Sequence, residues 1–184
     1  INPFLSQFNT GNSPFIVQQT LNQLKAWVST SPWFKGTDTS QWFTLPEEVN
    51  QELQLDYQKE WTDIGLKLMM QQPFSIEDRR FKDEAWAQPL FGSIAAYYLL
   101  NAKFVTRLVE ALPIEEGKPR QRLLYLIEQA LAASAPSNFL ASNPEALQRA
   151  VETGGSSLLN GAMQFMSDLQ EGKMRQSDIG DFKV

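Results

Sequence analysis

An all-α fold is what this sequence predicts, an irregular bundle of about six or seven helices with an extended C-terminal tail. Three observations carry that expectation. Apolar residues recur three and four apart along most of the chain, and no alternating run of strand length competes with them. Prolines and polar capping residues stand where those runs begin. Gly154 and Gly172 stand where the last two end, as suits a left-handed residue after a helix.

The elements follow in order. The opening INPFLSQFNTGN is polar and turn-rich around Phe4, Leu5 and Phe8. Ser13-Pro14 starts a helix on which Val17, Leu21, Leu24 and Val28 share a face. Residues 30–43 read as a loop with Pro32, Gly36 and several large aromatics. Thr44-Leu45-Pro46-Glu47 matches a capping box, and the stripe Val49, Leu53, Tyr57, Trp61, Ile64, Leu68 extends a helix to about Gln72. Pro73 ends it. A second capping box, from Ser75 to Asp78, predicts a short helix through DRRFKDEAW. Pro89 begins a longer helix with Leu90, Ile94, Tyr98, Val105, Leu108 and Leu112 facing inward. Beyond the turn PIEEGKP, a helix over 119–134 buries Leu124, Ile127 and Leu131. In the connector APSNFLASNPE, Asn143 caps, Pro144 takes the first helical position and Glu145 suits the positive end of a helix over 144–153. A last helix over 156–171 carries Leu159, Met163, Met166 and Leu169.

Composition narrows the function. The chain has 184 residues, 42% of them hydrophobic and 20% charged, enough for one folded domain or a domain with an arm. Its net charge of -5, without a dense basic stripe, disfavours nucleic acid and anionic membrane surfaces. The apolar clusters IAAYYLL and LLYLI are too short for a transmembrane segment. Cysteine and histidine are both absent, which excludes disulfides, Cys or His metal sites and Cys–His or Ser–His nucleophiles within this chain. No cofactor and no catalytic residue is expected in it. Starting at Ile1 without a signal-peptide pattern, the chain reads as a piece of something longer, and KMRQSDIGDFKV reads as a connector to further sequence.

Four features invite a functional reading, each beside a plainer one. Asp78-Arg79-Arg80-Phe81 sets two guanidinium groups beside a carboxylate, yet pairing at a helix start with Phe81 and Trp86 buried accounts for it. Glu152-Thr153-Gly154-Gly155-Ser156-Ser157 offers helix N–H groups to an anion, but without a preceding strand or a following Lys it is a helix stop and a Ser cap. Glu47, Glu48, Glu52, Glu60 and Asp63 read as a solvated helix face rather than an acid–base pair. Trp27, Trp33, Phe34, Trp42 and Phe43 crowd a loop-rich segment; core or domain-contact residues are the first expectation, and an exposed patch there would mark a partner or granule contact.

From Asp78 onward the chain resembles the polyhydroxyalkanoate synthases. DRRFKDEAWAQPLFGSIAAYYLLNAKF is similar to the family's DRRF-x-x-x-AW…P-x-F…YLL signature, and SAPSNFLASNPEALQRAVETGGSSLLNGAMQFMSDLQEGK to its SPSNFL-x-TNPEA…ETGG-x-SL segment. Ala135 and Ser142 depart mildly, standing where the family often has Ser and Thr. Longer N-terminal regions point to the class I type. The resemblance implies a helical N-terminal domain of an acyltransferase that polymerises (R)-3-hydroxyacyl-CoA. The family's α/β-hydrolase catalytic domain, with its Cys, Asp and His, would follow Val184. A partner- or granule-binding arm over 1–72 would precede a synthase N-terminal domain over 73–184, with 173–184 as linker.

It further implies contact with the catalytic domain through the motif residues Asp78, Arg79, Arg80, Phe81 and Trp86. The second motif adds Asn138, Phe139, Leu140, Asn143, Pro144, Glu145, Glu152, Gly154 and Gly155. Phe139 and Leu140 are expected to anchor their turn in the core or against that domain. Homodimerisation and attachment to cytoplasmic polyhydroxyalkanoate granules or phasin-type granule proteins complete the expectation. A self-standing helical interaction module, such as a granule coat protein, is the rival; a small enzyme working through carboxylates alone is a third reading without support in the residues.

Overall fold

The computed structural model describes residues 13–153, and α-helix dominates them with no strand among the described residues. The five α-helices are α1 Ile16–Thr30, α2 Glu47–Met69, α3 Pro89–Glu110, α4 Lys118–Ala133 and α5 Pro144–Glu152. Short 3-10 turns at Pro32–Phe34, Arg79–Phe81, Glu84–Ala87 and Pro136–Asn138 fill the connections. The chain divides into two compact units, Ile1–Asn143 and Pro144–Val184. Helices α1 to α4 belong to the first and α5 to the second. The predicted helix over 156–171 lies outside the described residues, as do Gly154 and Gly155.

One apolar core joins the four helices of the first unit. It takes Ile16, Leu24 and Val28 from α1, Leu53 and Tyr57 from α2, Phe104 and Leu108 from α3, and Leu123 and Ile127 from α4. The stripe read from the sequence is the buried one in α1; in α2 Leu53 and Tyr57 are buried, and Val49, Trp61, Ile64 and Leu68 are half-buried. In α4, Leu123, Ile127 and Leu131 are buried while Leu124 is half-buried. In α3, Leu90 is 60% exposed, contrary to expectation. The buried side of that first turn carries Gly92, roughly 200° around the helix from Leu90.

Two helix starts differ from their sequence signatures. Pro46, not Thr44, takes the cap position of α2 and no side chain caps it. Thr44 falls two residues outside, and Glu47 instead receives a bond from the Gln51 amide at 2.8 Å. The predicted helix through DRRFKDEAW resolves into two 3-10 turns. Asp78 accepts from the Arg80 N–H and Asp83 from the Ala85 N–H, both at 2.9 Å. Two acidic caps five residues apart each close their own turn, so neither turn propagates into an α-helix.

Helices α2 and α3 are joined by an aromatic ladder and a charged rim. Tyr57 stacks on Trp61 with centroids 5.9 Å apart and meets Phe104 at 4.8 Å, and Trp61 meets Tyr97 at 4.3 Å. The Tyr57 hydroxyl donates to Asn101 Oδ1 at 3.0 Å. Alongside, Arg107 bridges Asp56 at 2.8 Å and Glu52 at 3.0 Å, and Lys103 pairs with Glu60. Part of the predicted acidic face therefore spans two helices.

Burial, with the Tyr97 phenol next in effect, pushes the Tyr57 hydroxyl from its ordinary 10 up to about 12. A native value raised above the unfolded one contributes stability below pH 10 that is lost as pH climbs through 12. Urea unfolding followed between about pH 9 and pH 12 is expected to show this decline, and Tyr57→Phe to remove the Tyr57 part of it at a cost of about 1 kcal/mol near neutrality.

Phe74 crosses the start of α3, its N–H donating to the Ala87 carbonyl at 3.1 Å. It presses on Gly92 so closely that a Cβ there would lie 2.6 Å from the Phe74 Cβ. Gly92→Ala should gain about 1 kcal/mol of helix propensity and lose about 1–3 kcal/mol to overpacking. A lower urea midpoint is the expected result.

Candidate functional site

The DRRF segment is a latch built on Arg80. Its Nε and Nη2 donate to the two carboxylate oxygens of Asp78 at 2.9 and 2.8 Å, a two-pronged pair. Its Nη1 donates to the Tyr98 hydroxyl at 2.7 Å, and that hydroxyl donates to the Leu131 carbonyl at 2.7 Å. One guanidinium thus ties the 78–81 turn to α3 and, through Tyr98, to the last turn of α4. The guanidinium also lies 5.1 Å from the Tyr98 ring centroid and 5.7 Å from that of Phe81, within cation–π range. The bond from Arg80, opposed by burial and aided by charge, holds the Asp78 carboxyl below its ordinary 3.8. Arg79 is exposed and forms no ion pair among the described residues.

Behind the latch sit the apolar motif residues. Phe81 and Trp86 are 3% and 1% exposed and meet edge to face at 4.7 Å; Trp86 also meets Phe91 at 6.3 Å. The Trp86 indole N–H is buried without an acceptor. The latch is a structural joint: the Asp78 and Arg80 charges satisfy one another, and Phe81 and Trp86 face inward.

The connector after α4 is stapled by its own polar side chains. The Asn138 amide donates to the Ala132 and Ala133 carbonyls at 3.0 and 3.3 Å, closing the end of α4. The Ser142 hydroxyl donates to the Pro136 carbonyl at 2.8 Å, and the Asn143 amide to the Ser137 carbonyl at 2.7 Å. Ala135 and Pro136 are buried. Phe139 and Leu140 are not: they stand 37% and 38% exposed, so the core of the first unit does not take them. A fixed backbone presenting two apolar side chains is what a contact surface requires. In the second unit, Pro144 opens α5, Glu145 lies in its first turn, and the Gln148 amide donates to Glu152 at 2.8 Å.

Of the aromatic group in the first half, Phe34 and Trp42 are buried, and Trp27 and Phe43 are partly buried against the core. They form a chain, Trp27 to Phe34 at 6.3 Å, Phe34 to Trp42 at 5.7 Å and Trp42 to Phe43 at 6.4 Å. Trp33 stands apart at 58% exposure, its carbonyl accepting from Arg122 Nη1 at 2.7 Å. Burial removes Phe34 and Trp42 from any contact surface and leaves Trp33 as its exposed member.

The family model of the poly-beta-hydroxybutyrate polymerase (PhaC) N-terminus matches residues 77–184, more than half of the chain. The chain belongs to this family. The match begins beside Asp78, where the latch begins. Among curated relatives, the poly(3-hydroxyalkanoate) polymerase subunit PhaC of Cupriavidus necator is 44% identical over 110 residues, which cover 59% of this chain and 18% of that protein. The poly(3-hydroxyalkanoate) polymerase of Methylorubrum extorquens is 34% identical over 57% of this chain and 18% of its own length. Poly(3-hydroxyalkanoate) polymerase 1 of Ectopseudomonas oleovorans is 38% identical over 59% and 20%. The chain thus spans about a fifth of the length of the curated relatives it matches. No solved structure matches it. No helix among the described residues is long and apolar enough to cross a membrane.

Sequence reasoning placed Tyr98 on an inward face and missed its role as the hub between Arg80 and Leu131. It also missed Arg120, which donates to the Glu110, Leu112 and Ile114 carbonyls at 2.9, 3.3 and 3.2 Å and so caps the end of α3. A basic residue soon after a helix end was the available signal.

Proposed function

We propose that this chain is a non-catalytic helical domain of a polymerase that joins (R)-3-hydroxyacyl-CoA units with release of CoA. It docks on the enzyme's own α/β-hydrolase domain, supporting its activity and dimerisation. It also attaches the enzyme to polymer granules in the cytoplasm, directly or through phasin-type proteins. The observation that carries the docking role is the exposed Phe139–Leu140 pair on a stapled connector, inside the family-matched part of the chain. Latch residues Asp78 to Trp86 act in this reading by fixing the surface that bears the pair, and α5 from Pro144 to Glu152 is a separate contact of the second unit. Trp33, exposed and held by Arg122, is the granule or partner contact of the first half.

The test is co-migration with the separately produced remainder of the enzyme. Phe139→Asp with Leu140→Asp is expected to weaken that association at least about tenfold, since two apolar contacts become buried charges. Unchanged association with the doubly substituted chain contradicts the assignment. Trp33→Ala is expected to reduce sedimentation with isolated granules and to leave co-migration unaltered.

A further inference from the structure

A cleft of about 310 Å³ lies between α2 and α3, bordered also by residues 74–77. Ile64, Phe74, Ile76, Ala96, Leu99 and Leu100 give it an apolar lining. Its polar lining holds Glu60, Asp63 and Glu77 against Lys67 and Lys103, so the charges nearly balance with one carboxylate in excess. Glu60 and Lys103 are spent on each other. Lys67 has no ion-pair partner among the described residues.

The main chain supplies a second, independent feature. Phe74 gives its N–H to Ala87, and the Asp78 carbonyl accepts from Phe81. Between them Ser75, Ile76 and Glu77 make no main-chain hydrogen bond among the described residues. Ser75 and Glu77 are exposed and water reaches them, but Ile76 is half-buried beside the cleft, where a ligand can supply its acceptor.

Charge and length decide among ligands. A CoA thioester carries several phosphate charges, and a lining with excess carboxylate opposes it. An added peptide strand would find only three free residues, fewer than a strand of ordinary length pairs. A neutral chain that has only acceptors and short alkyl branches suits both the charge balance and the donors.

We propose that this cleft holds a short run of the neutral polyester product, with its alkyl branches on the apolar lining and its ester carbonyls accepting from the Ile76 N–H and from Lys67. The assignment rests on the polymerase reading above and locates product contact on this chain.

The test titrates the 184-residue chain with the methyl ester of the (R)-3-hydroxybutyrate trimer while amide signals are followed by NMR. The expected result is saturable movement of the Ser75, Ile76 and Glu77 signals. Ala96→Phe, which fills the cleft, should weaken binding at least about tenfold. Exposed Lys67→Ala, which leaves the lining in place, should weaken it about threefold with an unchanged melting temperature. Stronger binding of 3-hydroxybutyryl-CoA at the same signals would overturn the product assignment. Unmoved signals at 75–77, with the chain still sedimenting on granules, would overturn the cleft and leave granule attachment standing. Failure of both trimer binding and sedimentation would overturn the two together.

Discussion

Trp86→Ala is expected to lower the unfolding free energy by about 3–5 kcal/mol, the usual range for deleting a fully buried indole. Trp86 is 1% exposed and braced by Phe81 and Phe91, so the space left behind has little means of collapsing. Trp86→Phe separates volume from polarity. It gives up part of the packing but also removes an indole N–H buried without an acceptor, a group costing about 1–3 kcal/mol when unsatisfied. The expected loss for Phe is therefore below about 1.5 kcal/mol, the N–H no longer buried offsetting much of the lost packing. Urea midpoints of the two variants side by side check the prediction. A Phe loss well above about 1.5 kcal/mol would mean that removing the indole N–H recovers nothing.

Arg80→Ala comes next, with an expected loss of about 1.5–3 kcal/mol, because charge-assisted bonds to Asp78 and a bond to Tyr98 vanish together. The latch is partly solvent-exposed, which keeps the figure below that of a buried ion pair. Arg80→Lys retains the charge but not the two-pronged geometry and should fall between. Acid unfolding gives a second readout. The native Asp78 carboxyl lies below its ordinary 3.8, so its contribution is fully present above that value and lost as pH falls through the depressed one. Wild-type stability should therefore drop more steeply than that of Arg80→Ala from about pH 4 downward. Parallel curves would show that the pair contributes nothing.

Much of the scaffold was legible because helical periodicity is a local signal. Val17, Leu21, Leu24 and Val28 lie three or four apart and are the buried face of α1. Pro89 and Pro144 mark true helix starts for a reason local to proline itself. Capping was legible only where the acceptor lies within a few residues. Asp78 and Arg80 are two apart, but Arg80 and Tyr98 are eighteen apart, and only the packed chain brings them together. Asn138 and Asn143 were readable as capping types, yet their amides donate to carbonyls five or six residues back. Exposure was the least legible property. Phe139 and Leu140 look like core residues by composition and stand in solvent, whereas Phe34 and Trp42 sit in a loop-rich segment and are buried. Hydrophobicity states what a side chain would gain from burial, and tertiary packing decides which side chains obtain it.

The family resemblance was legible for a different reason. Two long motifs in order specify a family, and the family model covers both, from residue 77 onward. In the structure the first becomes the Arg80 latch and the second the stapled connector and α5. Those parts hold a shape and present an apolar pair, and the proposed docking role rests on that pair.

The most direct test is release of CoA from 3-hydroxybutyryl-CoA by three samples: this chain, the remainder of its parent enzyme, and the two together. Silence from the chain alone, with a faster rate or a shorter lag in the mixture than in the remainder, is the predicted result. Turnover by the chain alone, or a mixture indistinguishable from the remainder, would contradict a non-catalytic domain that supports its catalytic partner.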